Sequence, residues 1–537
     1  KENGYQPSSK TRVDEELNRM AQDKLDKAKV VDTPATNVNG DGLAAATATD
    51  PIDSFAPEFQ TDLGNGQRFV KRHGRNLRHV EEWGDLVWNG KVWKRDQTGQ
   101  VMRWAKETAL SIFDEAKVCM QLAQKAQDEL KAAIEANNPE AAKKAEVKAE
   151  KYIKLSHSLT SWAMKSQSAS KLEAMIKLAR SESPIPALAT DFDKNPWLFN
   201  CDNGTINLRN GQLEPHRNED LITKISPIPF DHNAPCGLWT KTLTRVMDGK
   251  DHMVSFLCRL FGYSITGDVS EQILPFPYGS GSNGKTTIIK AILDILGEDY
   301  AAQAAPDLLV SGGANRHPTE LADLRGMRLI ASIEVDDGKR MAEGLVKQLT
   351  GGDKIKARFM RQDFFQFEPT HKIFLVANHK PVIRGTDYAI WRRVLLIPFT
   401  VKIEGKEKDK HLPEKLKAEY AGILAWLVRG CLEWQNEGLQ IPEEVIAATD
   451  EYQSESDALA RFLEESTVKV PIDTQASKLF KHYQKWCVDN GEDAMNNTRF
   501  GLEMTKRGYE KQVQGRNKQT FYLGLGLVND DVDDEGK

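Results

Sequence analysis

The chain has 537 residues, 40% hydrophobic and 28% charged, with a net charge of −5. At roughly 150 residues per domain this length calls for about three or four folded units. The acidic balance excludes bulk electrostatic capture of nucleic acid, so any such contact must come from local basic patches. The six cysteines (Cys119, Cys201, Cys236, Cys258, Cys431, Cys487) form no C-x-x-C pair. That argues against a disulfide framework or a zinc site of usual spacing, and a reducing, cytoplasmic location is expected. No apolar run reaches the roughly 18 residues of a membrane span, so no membrane partner is expected. The chain carries no secretory signal and opens on Lys1 rather than Met, as a fragment of a longer protein would.

Residues 1–60 are rich in Ala, Thr, Asp and Gly without sustained periodicity and read as a linker or tail, with one helix expected over "RVDEELNRMAQDKLDKAKV". Residues 61–268 read as a mixed β-hairpin and helical domain suited to a collar or an oligomer contact. Within it, "DLVWNGKVWKRD" predicts a type I′ hairpin around Asn89-Gly90. Trp83, Trp88 and Trp93 are expected to pack there as core rather than to stack on bases. Ala105 to Arg180 predicts long helices interrupted at "ANNPEAA", where Pro139 opens the second one. A second hairpin is expected around Asn210-Gly211. "HMVSFLCRLFGYSITG" then predicts a helix.

"GSGSNGKTT", Gly279 to Thr287, satisfies the P-loop spacing G-x-x-x-x-G-K-[ST]. Gly279, Ser280, Gly281, Ser282, Asn283 and Gly284 would aim backbone N–H groups at phosphates, and Lys285 would reach the β- and γ-phosphates of ATP. The Thr286 hydroxyl would ligate Mg²⁺, and Thr287 continues the helix whose N-terminus cradles the anion. The strand ahead of it is harder to place, because Pro275 and Pro277 each lack a ladder donor where a central strand is expected. Downstream, the strand Leu329 to Ile333 runs into Glu334, where a carboxylate could meet Mg²⁺ and the attacking water. Asp336 and Asp337 follow as alternative metal partners, and a solvated turn after a strand fits these two better than it fits Glu334. "HKIFLVANHKP" ends a further strand at Asn378, whose amide can sense a γ-phosphate or cap a turn. Before the last strand stand Arg392 and Arg393. One role of each kind is expected of them, transition-state stabilisation and an ion pair at a domain edge.

Between these strands lies "QLTGGDKIKARFMRQDFFQFEPTHK". Lys354, Lys356, Arg358 and Arg361 supply cations for phosphate, and strand alternation puts the first three on one face. Phe359, Phe364, Phe365 and Phe367 are expected to brace the hairpin. Residues 403–450 read as a helical connector. Residues 451–528 predict three helices followed by a strand pair, a winged-helix pattern, and 529–537 an acidic tail. The fold class expected is α/β, a P-loop ATPase core between a helical N-terminal region and a winged-helix-like domain.

"GSGSNGKTT", "LIASIE", "KQLTGGDKIKAR", "FLVANHKP" and "DYAIWRRVLLIPF" occur in this order over about 120 residues. Together they resemble the superfamily 3 helicase core of the phage, plasmid and poxvirus primase–helicase family. "DLGNGQRFVKRHG" and "WLFNCDNGTINL" are similar to the segment that family places ahead of its motor. The resemblance implies an AAA+ motor over 269–402, a homohexamer binding ATP and Mg²⁺ between subunits, and 3′ to 5′ movement on single-stranded or forked DNA. It implies replication partners such as a primase or polymerase, in the host cytoplasm for a phage or virus. On this resemblance Lys285 and Thr286 are Walker A residues and Glu334 ends Walker B. Residues 354–361 carry the channel hairpin, Asn378 is the sensor, and Arg392 or Arg393 is the arginine finger. Related helicases often have two acids in a row where this chain has Glu334 and Val335, so which acid activates water stays open. Asp191 to Asp193 read as a loop, and no primase domain is assigned. The competing readings are an origin-binding or loading ATPase and a small-molecule kinase. The first would dock its winged helix through Arg499, Lys506, Arg507, Lys511, Arg516 and Lys518.

Overall fold

The computed structural model describes residues 60–305, 308–311, 318–333, 338–361, 363–383, 388–515 and 517–528. The helix expected near the N-terminus, Glu334, Asp336, Asp337, Arg516 and the acidic tail lie outside the described residues.

Helix α1 (Asp62–His73) starts where the Thr61 hydroxyl accepts the Gly64 N–H at 3.0 Å. Strands β1 (Leu77–Val80), β2 (Gly84–Trp88) and β3 (Trp93–Arg95) form an antiparallel sheet in that order. The expected β2–β3 hairpin is present, but its turn is not type I′ on Asn89-Gly90. Only Gly90 takes a positive φ, 95°. Asn89 instead uses its side-chain oxygen to accept the N–H groups of Lys91 and Val92, both at 2.9 Å. Trp93 is fully buried, with Trp88 5.8 Å away.

Helices α2 (Gln100–Glu135) and α3 (Pro139–Ser166) run antiparallel, with Asn138 capping α3 by accepting the Ala141 N–H at 3.1 Å. Pro139 occupies the first helical position, as expected. Their buried seam mixes alanines, Ala116, Ala123 and Ala126 with Ala145, Ala149 and Ala163, with the larger Ile112, Leu155 and Leu159. Helix α4 (Ala169–Ala179) returns to pack on α1. Strands β4 (Leu198–Cys201), β5 (Gly204–Asn207) and β6 (Gln212–Glu214) form a second antiparallel sheet, its hairpin turning at Asn210-Gly211 as expected. Helices α5 (Gly237–Val246) and α6 (Asp251–Ser264) follow.

The central sheet comes next, built from β7 (Leu274–Tyr278), α7 (Lys285–Leu296), β8 (Ala301–Ala304), α8 (Pro318–Ala322) and β9 (Leu329–Ile333). It continues with α9 (Glu343–Thr350), β10 (Ile355–Ala357), β11 (Phe365–Phe367), β12 (Lys372–Val376), α10 (Tyr388–Trp391) and β13 (Val394–Pro398). Strand β9 lies parallel between β8 and β12, and β7 pairs in parallel with β13. A parallel bridge from Tyr278 to Ala377 joins the two groups into the order β13-β7-β12-β9-β8.

The two prolines therefore sit in a central strand, and the register shows how it tolerates them. The Leu274 N–H donates to the Arg393 carbonyl at 2.6 Å, and the Tyr278 carbonyl accepts the Phe399 N–H at 2.8 Å. Both groups face β13. By strand alternation Pro275 and Pro277 face β12, so the missing donors fall on that side alone. There the Pro277 carbonyl still accepts the Ala377 N–H at 3.4 Å. At the sheet edge, the outward Leu396 N–H donates to the Thr449 hydroxyl at 3.0 Å, so a helix side chain caps it.

Helices α11 (Leu412–Lys417), α12 (Tyr420–Glu437) and α13 (Glu443–Ser456) fill the stretch read as a connector. They are part of the core: α12 lies on α6 and shares one apolar cluster with α7 and one face of the sheet. Residues 458–528 form three helices, α14 (Ala458–Ser466), α15 (Ala476–Asp489) and α16 (Asn497–Lys506), with short strands. These strands are β14 (Thr467–Lys469), β15 (Thr474–Gln475), β16 (Lys511–Gln514), β17 (Gln519–Tyr522) and β18 (Leu525–Leu527). They enclose a separate core around Phe462, Tyr483, Phe500 and Tyr522. Among the described residues no helix is long and apolar enough to cross a membrane.

Candidate nucleotide site and basic hairpin

The loop 279–284 leaves the end of β7 and turns into the first residue of α7, Lys285. The turn needs positive φ at Gly281 (92°), Ser282 (50°) and Gly284 (85°). Gly279 is pressed against the chain that follows β13: a Cβ there would lie 2.3 Å from the Phe399 carbonyl oxygen. The same segment holds the loop at two more points, with Ile403 N–H donating to the Ser282 carbonyl at 2.8 Å and Asn283 Nδ2 to the Phe399 carbonyl at 3.1 Å.

Lys285 is buried, and its Nζ donates to the Gly279 carbonyl at 2.6 Å, to Asn283 Oδ1 at 3.0 Å and to Asn378 Oδ1 at 3.1 Å. Desolvation pulls its pKa down to about 8. Asn378 reaches this point because β12 is the strand beside β7, which brings together two residues 93 apart in sequence. Ser280, Ser282 and Thr286 are exposed around the same helix N-terminus, while Thr287 is half-buried. That open end offers N–H groups and a hydroxyl to an anion and its metal. The carboxylates expected to complete a metal site, Glu334 and Asp336, lie outside the described residues.

The adjacent arginines differ in kind. Arg393 is buried, with Nε donating to the Thr350 hydroxyl at 3.1 Å and Nη1 to the Ala389 carbonyl. Arg392 is exposed, and its Nη2 donates to Gln272 Oε1 at 2.9 Å. Both precede β13, whose start pairs with the start of β7. The loop 279–284 follows the far end of β7, about 16 Å away along five strand residues. Arg392 thus sits at the opposite end of the sheet from Lys285.

Strands β10 and β11 pair as an antiparallel hairpin, Ile355 opposite Phe367 and Ala357 opposite Phe365. Ile355 and Ala357 are buried, so Lys354, Lys356 and Arg358 share the other face, as alternation predicts. Arg361 is exposed at the turn with φ of 62°. Phe359, Phe365 and Phe367 pack inward, with the Phe359 and Phe365 rings stacked at 5.4 Å. Phe364 departs from the expected bracing role. It is 50% exposed, and Lys356 Nζ and the Arg358 guanidinium carbon each lie 4.8 Å from its ring centre.

Two family models match the chain, "D5 N terminal like" over residues 66–248 and a family of unknown function (DUF5906) over residues 278–393. A protein of Acanthamoeba polyphaga mimivirus named "Putative helicase L207/L206" is 26% identical over 56% of this chain and 33% of that protein. "Putative primase C962R" of African swine fever virus is 23% identical over 52% of this chain and 32% of its own length. A solved structure of the NrS-1 C-terminal region covers 66% of this chain and 90% of that one, at 12% identity and a TM-score of 0.38. The chain spans about a third of the length of these two curated relatives. The first model ends within three residues of α5 and the second runs from Tyr278 to Arg393, so both the region ahead of the loop and the region carrying Lys285, the hairpin, Asn378 and the arginines are accounted for. Together the two models and these relatives support a likeness to the phage and viral primase–helicase family.

Proposed function

We propose that the chain is an ATP-driven replicative DNA helicase of superfamily 3, working as a hexameric ring that moves 3′ to 5′. The observation that carries this reading is the meeting of Lys285 and Asn378 at 3.1 Å, across adjacent parallel strands and at the N-terminus of α7. A P-loop lysine beside a polar residue of the neighbouring strand is the arrangement needed to hold and sense a γ-phosphate. The strand order β13-β7-β12-β9-β8, with one strand between the loop strand and β9, supports an AAA+ core. On this reading the loop Gly279 to Gly284, with Lys285, Thr286 and Thr287, binds ATP. Thr286 and Glu334, with Asp336 as the alternative acid, hold Mg²⁺, which would neutralise charge on the transferring phosphate. Arg392 serves as the finger for the next subunit, because it is exposed and points away from its own Lys285, while Arg393 braces α9 and α10.

The hairpin row Lys354, Lys356, Arg358 and Arg361 binds the DNA backbone. The C-terminal domain is read as a winged helix. Two of its six candidate cations pair within the domain, Arg507 with Asp457 at 2.8 Å and Lys506 with Glu503 at 2.8 Å, which removes part of the patch that an origin-docking role would use. The test is strand separation on a forked duplex with ATP and Mg²⁺. Native chain is expected to unwind it, and Lys285→Ala to lose both unwinding and ATP turnover. Full turnover by Lys285→Ala would reject the site, and native turnover without unwinding would leave a loading ATPase in its place.

A further inference from the structure

A cleft of about 1220 Å³ opens between the β1–β3 sheet and the base of the hairpin. Neither the nucleotide site nor the outward cation row explains it. Its walls include Trp83 on one side and Phe364 and Arg361 on the other, with Arg325 from the segment after α8. The Arg325 guanidinium carbon lies 5.2 Å from the Trp83 ring centre and 5.2 Å from that of Phe365. The guanidinium makes one hydrogen bond among the described residues, a long one from Nη2 to the Ala189 carbonyl at 3.5 Å, while Glu82 and Asp193 act on it only from beyond ion-pair distance. A half-buried guanidinium held between two rings, with no anion in direct contact, favours one that arrives with oxygens to accept its free N–H groups.

The cleft is also continuous with the hairpin. Phe364, which lines it, carries Lys356 and Arg358 over its ring, and Arg361 stands on its rim. Glu82, Asp323 and Asp363 line it as well, so it is not a uniformly basic trough. Alternating cation, ring and carboxylate fit a ligand that alternates phosphate and base. They disfavour a duplex, whose bases are already stacked on one another and cannot also stack on the cleft's rings.

We propose that this cleft receives a short stretch of single-stranded DNA continuing from the hairpin, with a phosphate on Arg325 and a base against Trp83. The proposal rests on the DNA-binding reading of the hairpin and gives the strand a path off the cation row toward the N-terminal domain. Arg325 and Trp83 are binding residues here and take no part in ATP chemistry.

The test is fluorescence anisotropy of the full chain with fluorescein-labelled oligothymidylate. Arg325→Gln and Trp83→Leu should each weaken binding about fivefold or more, the scale of one lost base stack, with the melting temperature held within a few degrees. Lys356→Ala with Arg358→Ala provides the second arm. If that double variant loses binding while both cleft variants bind like the native chain, the cleft proposal is overturned and the hairpin reading stands. If native chain fails to bind the oligonucleotide, the DNA-binding reading itself falls and the cleft proposal with it. Should either cleft variant fail to fold, photocrosslinking of native chain to a 5-iodouracil oligonucleotide decides. An adduct at Trp83 supports the proposal, and adducts confined to residues 354–361 overturn it.

Discussion

Lys285 shows how one side chain records its surroundings. Nothing but desolvation drives its pKa to about 8, since its partners are neutral oxygens of Gly279, Asn283 and Asn378. Phosphate binding needs the ammonium form. Below about pH 8 the charge is already present and affinity should be flat. Above it the protein must take up a proton to bind, so affinity should fall up to tenfold per pH unit until the pKa of the bound form is reached. Titrating a fluorescent ATP analogue from pH 6.5 to 9.5 checks this, and a flat profile through pH 9 would contradict it. The neighbouring arginines illustrate the limit of residue-level reading. In sequence Arg392 and Arg393 are equivalent, and the expectation assigned one role of each kind without saying which. Burial separates them: Arg393 is 7% exposed and hydrogen-bonded within the chain, and Arg392 is exposed.

At the scale of elements, alternation and turn chemistry carried well where contacts are local. The hairpin face of Lys354, Lys356 and Arg358, the Asn138-Pro139 helix start and the β5–β6 turn all follow from neighbours in sequence. The β2–β3 turn differed because a side-chain oxygen of Asn89 took over the bonds that a second positive-φ residue would have arranged. The prolines of β7 conflicted with a central strand only while both faces of its ladder were assumed equal. Once the partners are known, both fall on the β12 side. The contact between α6 and α12 had no local signature at all. Added Cβ atoms would lie 2.1 Å from Cys431 N at Gly262 and 2.0 Å from the Cys258 carbonyl at Gly430, so the helices touch backbone to backbone. Gly430→Ala should therefore destabilise by about 1–3 kcal/mol through overpacking, read as a lower urea midpoint at unchanged slope. An unchanged midpoint would mean the helices can separate without cost.

For the molecule as a whole, the distance between Arg392 and Lys285 leads to an assembly-level prediction. If Arg392 completes the site of the next subunit, Arg392→Ala and Lys285→Ala should each abolish ATP turnover alone. Mixed in equal amounts they should recover a measurable fraction, because some interfaces then combine an intact loop with an intact arginine. Turnover that stays at background across mixing ratios, with mixed rings verified by mass, would place the finger elsewhere. The order of motifs from Gly279 to Arg393 and the family they point to were legible in the chain itself, because phosphate chemistry demands particular residue types at short, local spacings. The joining of α12 to the core around α6, the division of labour between two arginines, and the placing of Arg325 between Trp83 and Phe365 were decided only by the tertiary structure. They depend on partners more than 100 residues apart or on which side of a strand faces inward, and linear spacing encodes neither.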